Sequence, residues 1–371
     1  MLETADQAVG TMSTRQIQPL IELALNGLRA MFCPEQNSFC YRVVRTSRGL
    51  EKEGLSNRYT VMCLLGINRA EAAGLRSPIN RAEIRAALST DIHWISSIGD
   101  LGLYLWLLAM DCPEEIPRAV NDLRVVGALE QYSDAIEGRS MELAWFLSGL
   151  AHIRLAAVPS LPDLRPVAFR TYRMLTENQG SHGFFGHQLC KGAIGRFRGR
   201  IGSFADQVYP IYALSKFGQA YESREALDRA SRCADSICRV QGPLGQWWWH
   251  YDSWTGRVAG KHPVYAVHQD AMAPMALLTL SEITGRDFNN FVFHGLEWIS
   301  GKNELNIDLR DFKHNLVWRS LYQGRPKSIV NELLQMAGLP GSPDGLRVKY
   351  EDRPYHLGWV LYAFAPLMRE N

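Results

Sequence analysis

Two aspartates of this chain stand in the same local pattern. Asp206 begins an Asp-x3-Pro run ending at Pro210, and Asp270 begins another ending at Pro274. A matching run lies upstream of each: Gln179-x3-Gly183-x-Phe185 before the first and, 62 residues later, Gln241-x3-Gly245-x-Trp247 before the second. Proline is tolerated in the first turn of a helix, where its missing N–H has no intrahelical partner to lose. The pattern therefore predicts helices that start near Pro210 and Pro274, with Asp206 and Asp270 just ahead of them at equivalent positions. Two carboxyl groups facing one opening suit glycosidic cleavage, where one protonates the leaving oxygen and the other acts as base or nucleophile.

Other polar residues sit at comparable places. Arg58 and Tyr59 open one apolar stretch, Asp100 the next, and Ser140 with Glu142 a third. Gln207 and Tyr209 follow Asp206, His268 and Gln269 precede Asp270, and Tyr355 and His356 open the last apolar stretch. The catalytic candidates are thus Asp206, Asp270, Glu142, Asp100 and His268, with Asp206 and Asp270 preferred because of the repeat. Arg58, Tyr59, Gln207, Tyr209, Trp247, Trp249, Gln269, Tyr355 and His356 are the candidate substrate contacts. Epimerisation or elimination would instead move its proton through His268, His356 or Tyr209. Asp and Ser at helix starts are also ordinary caps, favoured by the positive end of the dipole. Capping alone does not call for Gln, Tyr, His and Arg beside the acids.

Three long connections frame these residues. Residues 179–203 are glycine-rich and carry Lys191, Arg196, Arg198 and Arg200 without a phosphate-loop pattern, and they read as a basic rim loop. Residues 242–264 contain the run QWWWHYDSWTGRV, which reads as a short hairpin turning near Thr255-Gly256. Aromatic faces grip sugar rings or stabilise carbocations. Strand side chains alternate, so Trp248 should face away from Trp247 and Trp249, and one side should be packing. Residues 301–322 are too long and charged for a plain linker, and read as a lid over the mouth or a solvated excursion.

The elements that must hold these residues are helices in alternation. Striped helices are expected at 15–32, 81–94, 116–131, 164–177, 224–240 and 287–299, and a further mixed one at 327–336. Each of the six is followed by a more uniformly apolar one, at 58–67, 100–110, 141–153, 208–217, 271–283 and 357–367. A helix apolar all round must be surrounded by protein, whereas a striped one faces solvent. Six such pairs close into an inner ring wrapped by an outer ring. The expected fold is all-α, an (α/α)6 barrel with a short β-hairpin at its rim, in one domain over residues 1–371. The alternative is an open helical solenoid.

Composition narrows the function. The 371 residues are 46% apolar, enough for a large core. Forty basic against 38 acidic side chains leave no excess pointing to nucleic acid. The first residues lack a basic start and apolar core, and no stretch reaches the roughly 18 apolar residues of a membrane span, so a cytoplasmic protein is expected. Seven scattered cysteines form no C-x-x-C pair, and no metal or other cofactor is expected.

The Gln-x3-Gly-x-aromatic runs at Gln179 and Gln241 resemble the turn signature of α/α-toroid proteins, including squalene–hopene-type terpene cyclases, six-hairpin glycosidases and sugar epimerases. The resemblance implies the hairpin plan over most of the chain and leaves the reaction open. The chain lacks any Asp-Asp dipeptide, which removes the acid motifs of both terpene-cyclase classes. Only Cys63 lies in an expected inner helix, so the zinc set of lanthionine-type cyclases is missing too. The expectation is a carbohydrate-active enzyme, a glycoside hydrolase, lyase or epimerase acting on an oligosaccharide or glycoconjugate. An isoprenoid cyclase with an unconventional acid and a non-catalytic glycan-binding protein are the alternatives.

Overall fold

The computed structural model describes residues 3–189, 199–324, 330, 334 and 345–370. In chain order its helices are α1 (Glu3–Met31), α2 (Asn57–Ala72), α3 (Arg81–Thr90), α4 (Ile98–Asp111), α5 (Ile116–Asp122), α6 (Ala128–Gln131), α7 (Ser133–Glu137), α8 (Ser140–Leu155), α9 (Arg165–Thr176), α10 (Ala205–Tyr221), α11 (Arg224–Arg239), α12 (Ala273–Thr284), α13 (Asn289–Ile299) and α14 (Pro354–Phe364). Helices α2, α4, α8, α10, α12 and α14 are the ones buried on nearly every side. Each packs on the next, and α14 returns to α2. The ring is closed, an (α/α)6 toroid wrapped by α1, α3, α5–α7, α9, α11 and α13. No helix among the described residues is long and apolar enough to cross a membrane.

Small residues let the inner helices touch. A Cβ on Gly66 would lie 2.0 Å from the carbonyl oxygen of Gly358, so the closing seam between α2 and α14 is backbone against backbone. Gly102 of α4 meets the backbone of Phe146 on α8 in the same way, and Gly149 of α8 meets Gly102. The axis is plugged at the C-terminal end of the inner helices. Trp106 stacks on Tyr212, His152 and Trp359 with ring centroids 4.7, 5.1 and 5.6 Å apart, and Tyr362 meets it edge-on. Aromatic pairs in these geometries add stability beyond the area they bury. The opposite end, which carries the inner-helix N-termini, holds a cavity.

The internal repeat is a repeated clamp. Gln179 Nε2 donates to the carbonyls of Gly183 (3.1 Å) and Arg229 (3.0 Å), and Gln241 Nε2 donates to those of Gly245 and Phe291 (both 3.0 Å). Each glutamine thus ties its own turn to the following outer helix. Gly183 (φ +94°) and Gly245 (φ +93°) occupy the left-handed region, where a side chain would be strained. Behind each turn, Phe185 and Trp247 are fully buried plugs.

Several expectations need correction. Helix α10 starts at Ala205, so Asp206 lies in its first turn and Pro210 in its second. Asp270 lies inside a wide π turn, His268–Met272, that runs on into α12. The helix expected at 116–131 is broken into short pieces, with Arg124 at φ +49° between them. Besides the expected hairpin, the described residues form three further small sheets. Strands Ser38–Thr46 and Gly49–Leu55 form an antiparallel hairpin against which Glu351–Asp352 also pairs. The hairpin His250–Asp252 with Arg257–Gly260 is where the sequence places it, extended by Ile201–Ser203. The 301–322 connection is neither lid nor excursion, because Leu309, Leu316, Val317, Trp318 and Leu321 are buried in the wall of the toroid. Lys191, Arg196 and Arg198, and all but two residues of the helix expected at 327–336, lie outside the described residues.

Candidate active site at the inner-helix N-termini

A cavity of about 200 Å³ opens among the N-termini of the inner helices. Its walls are aromatic: Tyr59, Trp145, Tyr209, Trp249, Tyr265 and Tyr355, with Met62, Met141, Met272, Val267 and Ala205 between them. Its polar lining is His268, Arg58 and Arg319, besides the tyrosine hydroxyls. Roomier clefts, such as one of about 460 Å³ beside Arg154, Asp163 and Tyr221, lie between helices at the periphery. They gather none of the polar residues that the sequence singled out, so the smaller mouth cavity is the better candidate.

Of the sequence candidates, Arg58, Tyr59, Tyr209, Trp249, His268 and Tyr355 line the cavity. Gln207, Gln269 and Trp247 do not, and the reason is structural. Gln207 accepts from Phe185 N (2.8 Å) and donates to Phe185 O (2.9 Å); Gln269 accepts from Trp247 N (3.0 Å) and donates to Trp247 O (3.3 Å). Both glutamines clip the plug residue of the repeat to the next inner helix. The repeat that drew attention to Asp206 and Asp270 is therefore an architectural one.

Neither of those aspartates is in the lining. Asp206 Oδ2 accepts from Ser203 N (2.8 Å) and Oγ (2.9 Å), while Ser203 Oγ caps Asp206 N (3.3 Å). His187 Nδ1 sits 3.2 Å from the same oxygen, and this hydrogen bond raises the imidazole pKa against the opposing effect of burial. Asp270 is fully buried, with Oδ1 2.6 Å from His356 Nε2, and His356 Nδ1 is 3.4 Å from Asp352 Oδ1. Burial disfavours the imidazolium, but the two flanking carboxylates outweigh it and lift His356 to about 9. This Asp–His–Asp sandwich ties the π turn before α12 to α14, and His356 is not in the cavity lining.

Asp100 and Glu142 are not in the lining either, but both converge on Arg58, which is. Arg58 Nε donates to Asp100 Oδ1 (2.6 Å), its Nη1 is 3.8 Å from Glu142 Oε1, and its Nη2 donates to Ser97 Oγ (3.1 Å). Ser97 Oγ in turn donates to Glu142 Oε2 (3.3 Å) and caps the N–H of Asp100 (3.0 Å). One guanidinium and one hydroxyl thus hold two carboxyl groups from adjacent inner helices. Glu142 lies in the first turn of α8, between Met141 and Trp145 of the cavity wall. Burial pushes its carboxyl up to about 7; Asp134 and Asp100 add to the rise, and Arg58 and Ser97 oppose it. A Cβ at Gly99 would strike Glu142 Oε2 at 1.8 Å, so only glycine leaves room for that carboxyl.

His268 is held flat against Trp249, at 10° and 5.8 Å between centroids, with Phe204 and Tyr265 on other sides. Burial drives its pKa well below the usual range, and Arg319 and His356 lower it further, so the ring is neutral. Its Nδ1 is buried without a hydrogen-bond partner among the described residues. Sequence reasoning missed Trp145, Tyr265 and Arg319. Trp145 was within reach, because it lies one helical turn after Glu142. Tyr265 and Arg319 come together only through strand pairing, Ser320 opposite Tyr265, which leaves no local trace. Among the described residues, no group of three His, Cys, Asp or Glu side chains is arranged to hold a metal ion.

No family model matches the chain, and no curated protein is similar to it in sequence. Solved structures are similar in fold. An unsaturated glucuronyl hydrolase specific for heparin superposes with a TM-score of 0.55 at 13% identity, covering 96% of this chain and 98% of that one. The unsaturated glucuronyl hydrolase of Bacillus sp. GL1 gives 0.57 at 14% identity, covering 96% of each chain. An α-1,6-mannanase of Salegentibacter sp. HEL1_6 gives 0.56 at 13%, covering 94% of this chain and 98% of that one. At these identities the likeness is one of fold.

Proposed function

We propose that this chain is a carbohydrate-active enzyme of glycosidase type, with Glu142 as the proton donor and Asp100 as the second carboxylate. The observation that carries the reading is the Glu142 carboxyl, raised to about 7 and joined to Asp100 through Arg58 at the edge of an aromatic cavity. A carboxylic acid that keeps its proton near neutrality can give it to a leaving glycosidic oxygen. Asp100, held on Arg58, then receives a proton from water or adds to the anomeric carbon. Tyr59, Trp145, Trp249 and Tyr355 offer faces for the C–H side of a sugar ring. Neutral His268 offers a hydrogen-bonding nitrogen to a hydroxyl. The same fold occurs in neighbours named as a glucuronyl hydrolase and a mannanase, which supports an oligosaccharide as the ligand.

An isoprenoid cyclase also wants an aromatic cavity and a buried acid. Arg319 in this wall speaks against it, because it shares Glu351 with three other cations and would repel a carbocation. Glu142→Gln and Asp100→Asn test the assignment. On a panel of aryl glycosides and oligosaccharides, the substrate turned over by the wild type should be lost by both variants. Undiminished turnover by both would sink the assignment and return attention to Asp206.

A further inference from the structure

One face of the mouth carries more positive charge than its own acids neutralise. Glu351, 3% exposed, is approached by Arg319 Nη1 (3.0 Å), Arg42 Nη1 (3.1 Å), Arg353 Nε (3.3 Å) and Lys349 Nζ (3.7 Å). Arg42 also pairs with Glu53 at 2.6 Å, so four cations face two carboxylates. The surplus reaches the cavity. Arg319 lines it and lies over the Tyr265 ring, 5.0 Å from the centroid. Arg353 donates to the hydroxyl of Tyr59, another lining residue, and lies 4.6 Å from the ring centroid of the half-exposed Tyr41. Arg58 is already paired with Asp100 and Glu142, whereas Arg319 shares Glu351 with three other cations. Crowded like charges oppose folding, and a cleft lined by one sign concentrates ligands of the other. Planar guanidinium groups are also suited to carboxylate and sulfate oxygens.

We propose that this strip is an anionic subsite: the sugar next to the one in the cavity carries a carboxylate or sulfate that meets Arg319, Arg353 and Lys349. The inference rests on the glycosidase reading and narrows its substrate to acidic oligosaccharides. Glu351 has two roles in it. It holds the cations in register, and it leaves their sum positive.

The test is an array of neutral, carboxylated and sulfated oligosaccharides, probed with the full chain at low and moderate salt. Binding should be confined to acidic glycans and weaken with salt, and the carboxylated and sulfated spots tell the two anions apart. On the best-bound acidic glycan, Lys349→Gln should weaken binding about 3-fold at low salt, as for a half-exposed charge. Arg353→Gln should cost roughly tenfold, as for a hydrogen bond to a charged group. Arg353 supports Tyr59, so the Lys349 variant keeps the result independent of local packing. Neutral glycans bound as tightly as acidic ones, or both variants binding like the wild type, would overturn the subsite and leave the glycosidase reading standing. Retention of no glycan at all would overturn both.

Discussion

At Glu142, burial and the guanidinium of Arg58 pull in opposite directions, and burial wins. With the carboxyl raised to about 7, the acid form needed for proton donation is lost as pH climbs through that value. Activity should therefore fall on the alkaline side with a midpoint near 7, in a profile of kcat/KM against pH. Glu142→Gln should lower turnover by roughly 10²–10⁴-fold while keeping the side chain's shape. Stability moves in a linked way. A carboxyl whose folded pKa exceeds its unfolded value of about 4.5 stabilises below that value and loses this contribution as pH rises through about 7. The glutamine variant should lack this decline, which melting curves at pH 5 and pH 8 would show. His356 works in a later window. Raised to about 9 from 6.5, it stabilises fully below 6.5, and that part fades as pH climbs through about 9. His356→Asn leaves Asp270 and Asp352 buried without their cation, at a cost of about 3–5 kcal/mol for a broken buried pair. A melting temperature unchanged at pH 7 would contradict this account of the sandwich.

Between elements, the closing seam is the most sensitive place. Gly66→Ala would put a methyl into the Gly358 carbonyl, and backbone cannot step aside as a flexible side chain can. Overpacking of this kind costs about 1–3 kcal/mol. Gly324→Ala is the control, since its Cβ would meet nothing within 4 Å among the described residues. Equal denaturation midpoints for the two variants would show that α2 and α14 have slack. The glutamine clamps make a second case. Gln207→Leu or Gln269→Leu removes both partners of a buried plug's backbone, and unsatisfied buried groups cost about 1–3 kcal/mol each. Lower stability, with residual activity in proportion to the folded fraction, is the expected signature of a clamp. A large fall in turnover at unchanged stability would make either glutamine a substrate contact again.

For the whole molecule, closure matters more than any one hairpin. Helix α14 is the last inner element and supplies the partner surface of α2, with Leu357, Trp359, Val360 and Leu361 fully buried. A chain cut after Arg353 should expose that groove and lose cooperative unfolding, whereas the intact chain should melt in one strongly helical transition by far-ultraviolet circular dichroism. A truncated chain that melts as sharply as the intact one would show that the ring does not depend on being closed. Cooperativity of this kind is expected where one continuous core is shared by all elements.

Eleven of the twelve paired helical segments, and their alternation between striped and apolar, were legible in the sequence because each rests on local periodicity. The repeat was legible too, though its meaning was not. Gln207 and Gln269 look like site residues in a linear reading, and only the folded chain shows their amides spent on Phe185 and Trp247. The choice among four acids was likewise tertiary. All four stand in the first turn of an inner helix or the π turn before one, so position along the chain cannot rank them. What separates them is the partner each meets from another part of the chain: Ser203 and His187 for Asp206, His356 for Asp270, and one shared Arg58 for Asp100 and Glu142. The hairpin at 38–55 was missed although its pairing is local, whereas the strands at 346–352 pair with partners distant in sequence. It is that pairing which brings Arg42 and Arg353 to one glutamate more than 300 residues from the first of them.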